Sequence, residues 1–273
     1  MHRVTPEIES LAREILTYTM DRLKMDPPTL DHPLSQTALE EAAGQTITES
    51  GLGGESALRL FIDKLAPACI SEDHPRYLAF VPTAPTDVST LFDLVVGASN
   101  ICASSWLEGA GAIYAENQAL RWISDIAGFP PEAGGVFVSG GTAGNLSALV
   151  AARHDWRQKQ PDHAAQRGLI ISSRGAHSSV QQAAHVMDAD LIQSGGHRLT
   201  GADVAATIET LSETDRSRLF AVACTAGTTN LGIVDDLEGI GAICQQNIEY
   251  SALSGTNFGF GLKYRDLVLL KQM

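Results

Sequence analysis

The chain lacks long apolar runs, paired cysteines and clusters of basic residues, and each absence excludes a class of protein. It has no stretch of about 18 consecutive apolar residues, so the sequence predicts no membrane-spanning helix. The first residues, Met1 to Glu7, lack the basic and then apolar order of a secretory signal, which favours a cytoplasmic protein. The four cysteines are scattered without Cys-x-x-Cys spacing, so neither a zinc site nor a disulfide framework is indicated.

Positive charge is also scarce, which argues against a nucleic-acid partner. The 19 Lys and Arg are outnumbered by 32 Asp and Glu, and the formal net charge is −13. Affinity for nucleic acid comes largely from clustered basic side chains, and none cluster here. A length of 273 residues, with 44% hydrophobic and 19% charged, is typical of a soluble globular protein with a large core.

Helices and connectors are predicted for the first part of the chain. Apolar residues from Glu7 to Leu23 recur at helical spacing, and a proline-rich connector follows from Asp26 to Pro33. We expect this amphipathic helix either to pack on a partner subunit or to fold back on its own chain. The other helical segments predicted here are 54–65 and most of 90–127, the latter broken near 104–106 and 109–111.

Strands alternate with helices in the rest of the chain, which indicates a mostly parallel sheet with helices on its faces. The predicted strands are 136–138, 169–172, 191–193 and 219–225, and the predicted helices after the first junction are 179–186, 203–211 and 237–245. Ligands of such sheets bind beyond the carboxyl ends of the strands. Three polar clusters are expected to meet there in one crevice: Ser139–Asn145, His177–Ser179 and Thr225–Thr229.

The first of these clusters joins a short strand to an alanine- and leucine-rich helix. It reads Ser139-Gly140-Gly141-Thr142-Ala143-Gly144-Asn145, which is not a P-loop, a dinucleotide-binding fingerprint or a nucleophile turn. The first turn of a helix has N–H groups without partners and the positive end of the helix dipole, and small residues let an anion approach closely. The pattern favours a phosphate site, with a tight connection that binds nothing as the alternative.

The three clusters, in this order and at this spacing, resemble the group II pyridoxal-phosphate-dependent amino-acid decarboxylases, which include the aromatic-amino-acid, histidine and glutamate enzymes. The segments that match, in chain order, are His74-Pro75-Arg76, Pro82-Thr83-Ala84, Asn100 with Trp106, Ser139 to Leu146, Ala176 to Val180, Thr225 to Thr229 and Asp235-Asp236-Leu237. The likeness runs from about residue 5 to about residue 246. Other fold-type I cofactor enzymes share the junction and the histidine, but the first two segments favour the decarboxylases.

The resemblance implies an α/β fold, the fold-type I large domain of pyridoxal-phosphate-dependent transferases. The implied fold has a mostly parallel sheet and an N-terminal helical arm, and it is incomplete at the C-terminal end. The implied domains are an arm with its connecting segment at 1–110, a partial cofactor-binding large domain at 111–246 and a divergent tail at 247–273. The cofactor is then pyridoxal 5'-phosphate, and no metal is expected.

The resemblance also implies roles for individual residues. Ala143 and Gly144 hold the cofactor phosphate through backbone amides, and Thr225 lies beside the cofactor. His177 stacks on the pyridine ring and is the catalytic residue, which agrees with the flat aromatic face of an imidazole. Thr83 matches a threonine near the substrate.

Each role has a plainer alternative in the local sequence. His177 also fits a turn residue before a helix that is capped by Ser178 or Ser179. Asp235 and Asp236 precede apolar residues at helical spacing, so they are interpreted as helix-start residues and not as catalytic carboxylates.

The activity that the resemblance implies is decarboxylation of a small-molecule L-amino acid by a cytoplasmic homodimer, without nucleic acid or membrane. Two family features are missing after residue 246. No aspartate stands where the family has the partner of the pyridine nitrogen, and neither Lys263 nor Lys271 follows a histidine as the family's Schiff-base lysine does. We therefore expect impaired activity, and a truncated gene product with a shifted reading frame would explain the tail. A non-catalytic fragment that binds pyridoxal phosphate or phosphate, or that dimerises, is the alternative.

Overall fold

The computed structural model describes residues 3–79, 85–163, 165–247, 258–262 and 267–272, which form two compact units, Met1–Asn100 and Ile101–Met273. The helices of the first unit are α1 (Pro6–Leu23), α2 (Gln36–Ala43), α3 (Gly54–Leu60) and α4 (Asp87–Ser99). A π-helical turn (Phe61–Leu65) extends α3, so the predicted helix over 54–65 is confirmed. No helix in the described ranges is long and apolar enough to cross a membrane.

The first helix, α1, folds back on its own unit, which was one of the two alternatives for it. Its Tyr18 ring packs edge-to-face on Phe61, with ring centroids 6.1 Å apart. Its Arg22 forms an ion pair of 2.8 Å with Asp73. Several apolar side chains of α1 nevertheless remain exposed, among them Leu16 at 45%. The fold-back therefore covers only part of the apolar face that the sequence pattern predicts.

The second unit contains the remaining elements. These are α5 (Trp106–Ile126), β1 (Gly134–Val138), α6 (Gly141–Lys159), β2 (Leu169–Ser173), α7 (Ser178–Val186), β3 (Asp190–Ser194), α8 (Gly201–Thr210), α9 (Glu213–Arg218), β4 (Leu219–Ala223), α10 (Leu237–Asn247), β5 (Phe258–Leu262) and β6 (Leu267–Gln272). The break predicted near 104–106 lies between α4 and α5, and the break predicted near 109–111 is a kink inside α5. Gly109 has non-helical backbone angles there, and a Cβ atom on it would lie 2.7 Å from the Cys102 carbonyl oxygen.

Two three-stranded sheets organise the described part of the second unit. One has the strand order β3-β2-β4, with both pairs parallel, as the alternation of strands and helices predicts. The other has the order β1-β6-β5, in which β1 runs parallel and β5 antiparallel to β6. The strands β5 and β6 lie in the segment that was expected to diverge, and the sequence analysis did not predict them.

The core of this unit lies on both faces of the β3-β2-β4 sheet. Ile170 points to one face and packs in a cluster with Trp156 of α6, whose ring stacks on Phe220 at 5.9 Å. Leu169 and Ile171 point to the opposite face, in a cluster with residues of α8 and α10. Because successive side chains of a strand alternate between faces, burial on both sides favours a continuous apolar run, which β4 has over its whole length and β2 has over residues 169–171, before the buried Ser172 and Ser173. The carboxyl ends of these strands are thereby held at one edge of a rigid sheet.

Acid is expected to weaken this unit through Asp190, at the start of β3. The hydrogen bond from Arg218, followed by the charges of Arg218 and Arg167, lowers the pKa of Asp190 below its usual 3.8, although partial desolvation opposes the shift. A carboxylate with a lowered folded-state pKa stabilises the fold fully above its unfolded pKa, and this stabilisation is lost as the pH falls through the folded value. Asp190→Asn should therefore lower the free energy of unfolding by about 0.5–1 kcal/mol at pH 7, and by less below about pH 4.

Urea unfolding of Asp190→Asn at pH 7 and at pH 3.5 measures this difference. Asp188→Asn is the matched control, because Asp188 also pairs with Arg167 but its side chain is 77% exposed. Equal effects of the two substitutions, or an effect of Asp190→Asn that grows in acid, would contradict the assignment.

Candidate cofactor site

The junction between β1 and α6 leaves the first turn of α6 without a capping side chain. Gly140 occupies the cap position with an extended backbone (φ 165°, ψ 166°), and the first turn contains no acidic residue. In contrast, the caps of α7, α8 and α9 are side chains that accept hydrogen bonds from the helix backbone. A Cβ atom built on Gly140 meets no atom within 4 Å, so space is open in front of this helix end. Free N–H donors, open space and a positive helix dipole together suit an anion.

A buried hydrogen bond joins the first polar cluster to the second. Asn145, in the second turn of α6, donates from Nδ2 to the Ser179 hydroxyl at 2.8 Å, and both side chains are buried. The Ser179 hydroxyl lies 2.9 Å from Nδ1 of His177, and the Ser179 backbone N–H donates to the same nitrogen at 3.2 Å. The prediction that these two clusters meet is confirmed.

His177 itself caps α7, so the alternative that Ser178 or Ser179 supplies the cap is wrong. Its Nδ1 atom accepts the helix N–H, while the residue as a whole is exposed. The reason for the difference is geometric: His177 has the extended backbone of a cap residue (φ −60°, ψ 144°), whereas Ser178 is already the first residue of the helix. The capping role and a role in ligand binding are compatible, because capping uses only one ring nitrogen.

The third cluster begins just after β4 and is held by a buried carboxylate. Thr225 is 4% exposed, and its backbone N–H donates to Oδ2 of Asp235 at 2.7 Å. The other oxygen of Asp235 accepts from the Leu199 backbone N–H, also at 2.7 Å. Burial raises the pKa of Asp235 above its usual range, against the opposing effect of these two hydrogen bonds. Asp235 thus fixes the position of Thr225, a role that sequence reasoning missed.

The interpretation of Asp236 as a helix-start residue is confirmed, whereas that of Asp235 is incomplete. Asp236 accepts from the Gly239 backbone N–H at 3.1 Å, in the first turn of α10. The adjacent pair of aspartates itself indicates this second role. Only one of two adjacent acids can cap a helix, so the other needs a different partner. That partner, Leu199, lies 36 residues away in the sequence.

Strand register places the second and third clusters at the same edge of one sheet. Ser172 of β2 pairs with Ala223 of β4 in parallel register, so both chains leave the sheet on the same side. His177 and Thr225 follow within five residues of this pair. Among the other predicted site residues, Ala143 and Gly144 lie in the first turn of α6, where the Gly144 N–H donates to the Gly140 carbonyl oxygen at 3.0 Å, while Thr83 lies outside the described residues. Within the described ranges, no three His, Cys, Asp or Glu side chains are grouped as a metal site requires.

Comparison with solved structures defines the class of fold. A crystal structure of Oryza sativa TDC with PLP and tryptamine superposes with a TM-score of 0.79, over 93% of this chain and 55% of that chain, at 17% identity. A crystal structure of mouse CSAD in apo form superposes with a TM-score of 0.77, over 90% of this chain and 54% of that chain, at 19% identity. The chain therefore has the fold-type I architecture of pyridoxal-phosphate-dependent decarboxylases, as the sequence resemblance implies.

Sequence comparison then defines the family. The pyridoxal-dependent decarboxylase conserved domain matches residues 54–254, so this chain belongs to the pyridoxal-dependent decarboxylase family. The aromatic-L-amino-acid decarboxylase of Bacillus atrophaeus is 30% identical over 242 residues, which are 85% of this chain and 48% of that enzyme. The chain spans about half the length of the curated relatives that it matches.

The cofactor of the family is pyridoxal 5'-phosphate, and the described residues fit it. The phosphate needs hydrogen-bond donors and positive potential, which the uncapped first turn of α6 supplies. The aromatic ring needs a flat partner, and the exposed imidazole of His177 is tied to α6 through Asn145 and Ser179.

Proposed function

We propose that this chain binds pyridoxal 5'-phosphate as the cofactor-binding part of a carboxy-lyase that acts on an L-amino acid. The observation that carries the proposal is the uncapped N-terminus of α6, joined by the Asn145–Ser179 hydrogen bond to the residue that caps α7. In this proposal the phosphate binds at the backbone amide of Ala143 and beside Gly144, whose own N–H already donates to the Gly140 carbonyl oxygen at 3.0 Å. The imidazole of His177 stacks on the ring. Thr225, held by Asp235, lies beside the cofactor, and Thr83 lies near the substrate.

The relatives taken together support an amino acid as the proposed substrate class. One relative is an aromatic-L-amino-acid decarboxylase and another, from Acinetobacter baumannii, is an L-2,4-diaminobutyrate decarboxylase with 25% identity over 71% of this chain and 42% of that enzyme. Their side chains differ, so the shared chemistry is loss of the α-carboxylate of an amino acid. The bound cofactor supplies the electron sink for that step.

We further propose that residues 247–273 do not supply the covalent part of this chemistry. The segment contains no histidine, and its two lysines, Lys263 and Lys271, lack the sequence context of the family's attachment lysine. Binding from solution without a covalent link loses the advantage of a pre-positioned reactant. We therefore expect phosphate and ring binding with impaired decarboxylation.

An absorbance titration of the purified chain with pyridoxal phosphate tests the proposed function. Borohydride reduction and peptide mass mapping then locate any covalent link. Saturable binding with a reducible link at Lys263 or Lys271 would show that the tail supplies a substitute lysine. That result would contradict the proposal that decarboxylation is impaired. Saturable binding without a link is the result we expect. No saturable binding would contradict the proposal that this chain holds the cofactor.

We also propose that the chain acts as a cytoplasmic homodimer. Val88, Phe92 and Val96 of α4 are spaced four residues apart on one helix face and are 59–63% exposed. An apolar stripe of this kind is typical of an association surface. Light scattering after size-exclusion chromatography should give twice the 29.0 kDa chain mass, and a mass of one chain at micromolar concentration would contradict the dimer.

A further inference from the structure

The hydrogen bonds around His177 determine which of its ring nitrogens carries the proton. The Ser179 backbone N–H can only donate, and it donates to Nδ1 at 3.2 Å. A neutral imidazole that accepts at Nδ1 carries its proton at Nε2. The amide nitrogen of Asn145 also can only donate, and it donates to the Ser179 hydroxyl oxygen at 2.8 Å. The hydroxyl proton is thereby left to point at Nδ1, which lies 2.9 Å away.

We propose that Asn145 and Ser179 are positioning residues that hold His177 as the Nε2-protonated tautomer and fix the orientation of its ring. We refer to the three side chains as the 145–179–177 relay. The inference deepens the proposed function and rests on it for the ligand, since the ring is held for a cofactor bound at α6. The tautomer itself is a property of the chain alone.

The burial of the relay makes its direction persistent. Asn145 is 4% exposed and Ser179 is 1% exposed, so water does not compete for their hydrogen bonds, whereas His177 lies at the exposed end. Reversal of the relay would require the Ser179 backbone N–H to lose its acceptor at the start of α7. A buried donor without a partner is unfavourable. The hydrogen bonds therefore keep one direction: Asn145 donates to the Ser179 hydroxyl, and the hydroxyl donates to the ring of His177.

The consequence for binding is that the free polar atom of the ring is a donor. With Nδ1 occupied, Nε2–H is the group that His177 presents, and it suits an anionic or carbonyl oxygen of a bound molecule. The opposite tautomer would present a lone pair there and would repel such an oxygen. By placing the proton at Nε2, the relay therefore favours ligands that present an oxygen acceptor to the ring.

Nuclear magnetic resonance of histidine ring nitrogens measures the tautomer in the full chain without any ligand. The His177 signals are assigned by their loss in His177→Gln. We expect the wild-type ring, when neutral, to be protonated at Nε2. Ser179→Ala removes the hydroxyl, and Asn145→Asp replaces the donor with an acceptor that takes the hydroxyl proton. Both should shift the tautomer ratio towards Nδ1–H by about 3- to 10-fold, which is the size of one hydrogen bond.

The controls separate the relay from general effects on the fold. Ser178→Ala removes a hydroxyl one residue away, at an exposed position, and should leave the ratio unchanged. Ser179→Thr keeps the hydroxyl and should restore the wild-type ratio, which a merely structural role of Ser179 would not do. An Nδ1–H ring in the wild type, or a ratio unaffected by both Ser179→Ala and Asn145→Asp, would overturn the proposal.

Titration with pyridoxal phosphate then tests whether the relay acts on the site. Ser179→Ala should bind at least about threefold more weakly than wild type and Ser178→Ala, in step with the lost hydrogen bond. A shifted tautomer with unchanged affinity would overturn the positioning role. If wild type does not bind at all, the proposed function fails, and the tautomer measurement alone decides whether the relay exists.

Discussion

Gly140→Asp should weaken binding of pyridoxal phosphate by at least about tenfold without loss of fold stability. Gly140 is the cap of α6, its backbone is extended, and a Cβ atom there meets no neighbour within 4 Å, so a side chain fits. An Asp at a helix cap accepts the N–H groups that we assign to the phosphate and adds a negative charge beside it. Two like charges about 4 Å apart repel by about 1 kcal/mol in water and by about 4 kcal/mol near a protein surface.

Gly140→Asn is the matched control for this substitution, since it has the same shape and also caps the helix. It should weaken binding much less than Gly140→Asp, and both variants should unfold within a few tenths of a kcal/mol of wild type. Absorbance titration measures the affinities, and urea unfolding measures the stabilities. Equal affinities of wild type and Gly140→Asp would mean that the phosphate does not bind at this helix end.

Asp235→Ala should lower the free energy of unfolding by about 3 kcal/mol. The substitution leaves the backbone N–H groups of Leu199 and Thr225 without their acceptor, and both residues are buried. Each buried donor without a partner costs about 1–3 kcal/mol. Because Asp235 holds the chain directly after β4, the change should also weaken cofactor binding through Thr225.

Asp236→Ala is the control for Asp235→Ala, because it removes a neighbouring carboxylate that also accepts backbone hydrogen bonds, from Gly239 and Gly201. Asp236 is only half-buried, and its loss should cost about 1 kcal/mol, as for other helix caps. Denaturant unfolding of both variants gives the comparison. If Asp235→Ala is no less stable than Asp236→Ala, the buried carboxylate does not hold the third cluster.

The elements that could be predicted from sequence are those with a clear apolar pattern. The strands β2 and β4 are buried on both faces and contain the apolar runs 169–171 and Leu219–Ala223, so their positions were predicted to within two residues. The predicted end of β4 at Thr225 is two residues too late. The backbone N–H of Thr225 donates to the carboxylate of Asp235 instead of to a neighbouring strand, so the strand has ended before this residue. No local sequence pattern shows this.

The short helix α9 could not be predicted from the sequence. The helix α9 contains only polar and charged residues; Ser212 caps it, and Arg218 forms an ion pair with Asp215. No periodic apolar signal exists in such a segment. The short helix α2 was also not predicted; it spans eight residues, and none of them is buried.

The residues of the candidate site could be predicted from the sequence, but the hydrogen bonds that join them could not. The phosphate-site pattern at Ala143 and Gly144 is local, because a helix start is encoded by adjacent residues. The Asn145–Ser179 hydrogen bond joins side chains 34 residues apart, so it exists only once α6 and α7 pack on the same face of the sheet. The same limit applies to Asp235 and Leu199.

The most direct test of the central claim is a map of backbone amide shifts during titration with pyridoxal phosphate. If the phosphate binds at the start of α6, the largest changes should fall on the amides of 141–145, with a second set at His177 and Ser179. Inorganic phosphate should move the first set and leave the second nearly unchanged. Changes scattered over surface lysines, with none at 141–145, would contradict the account.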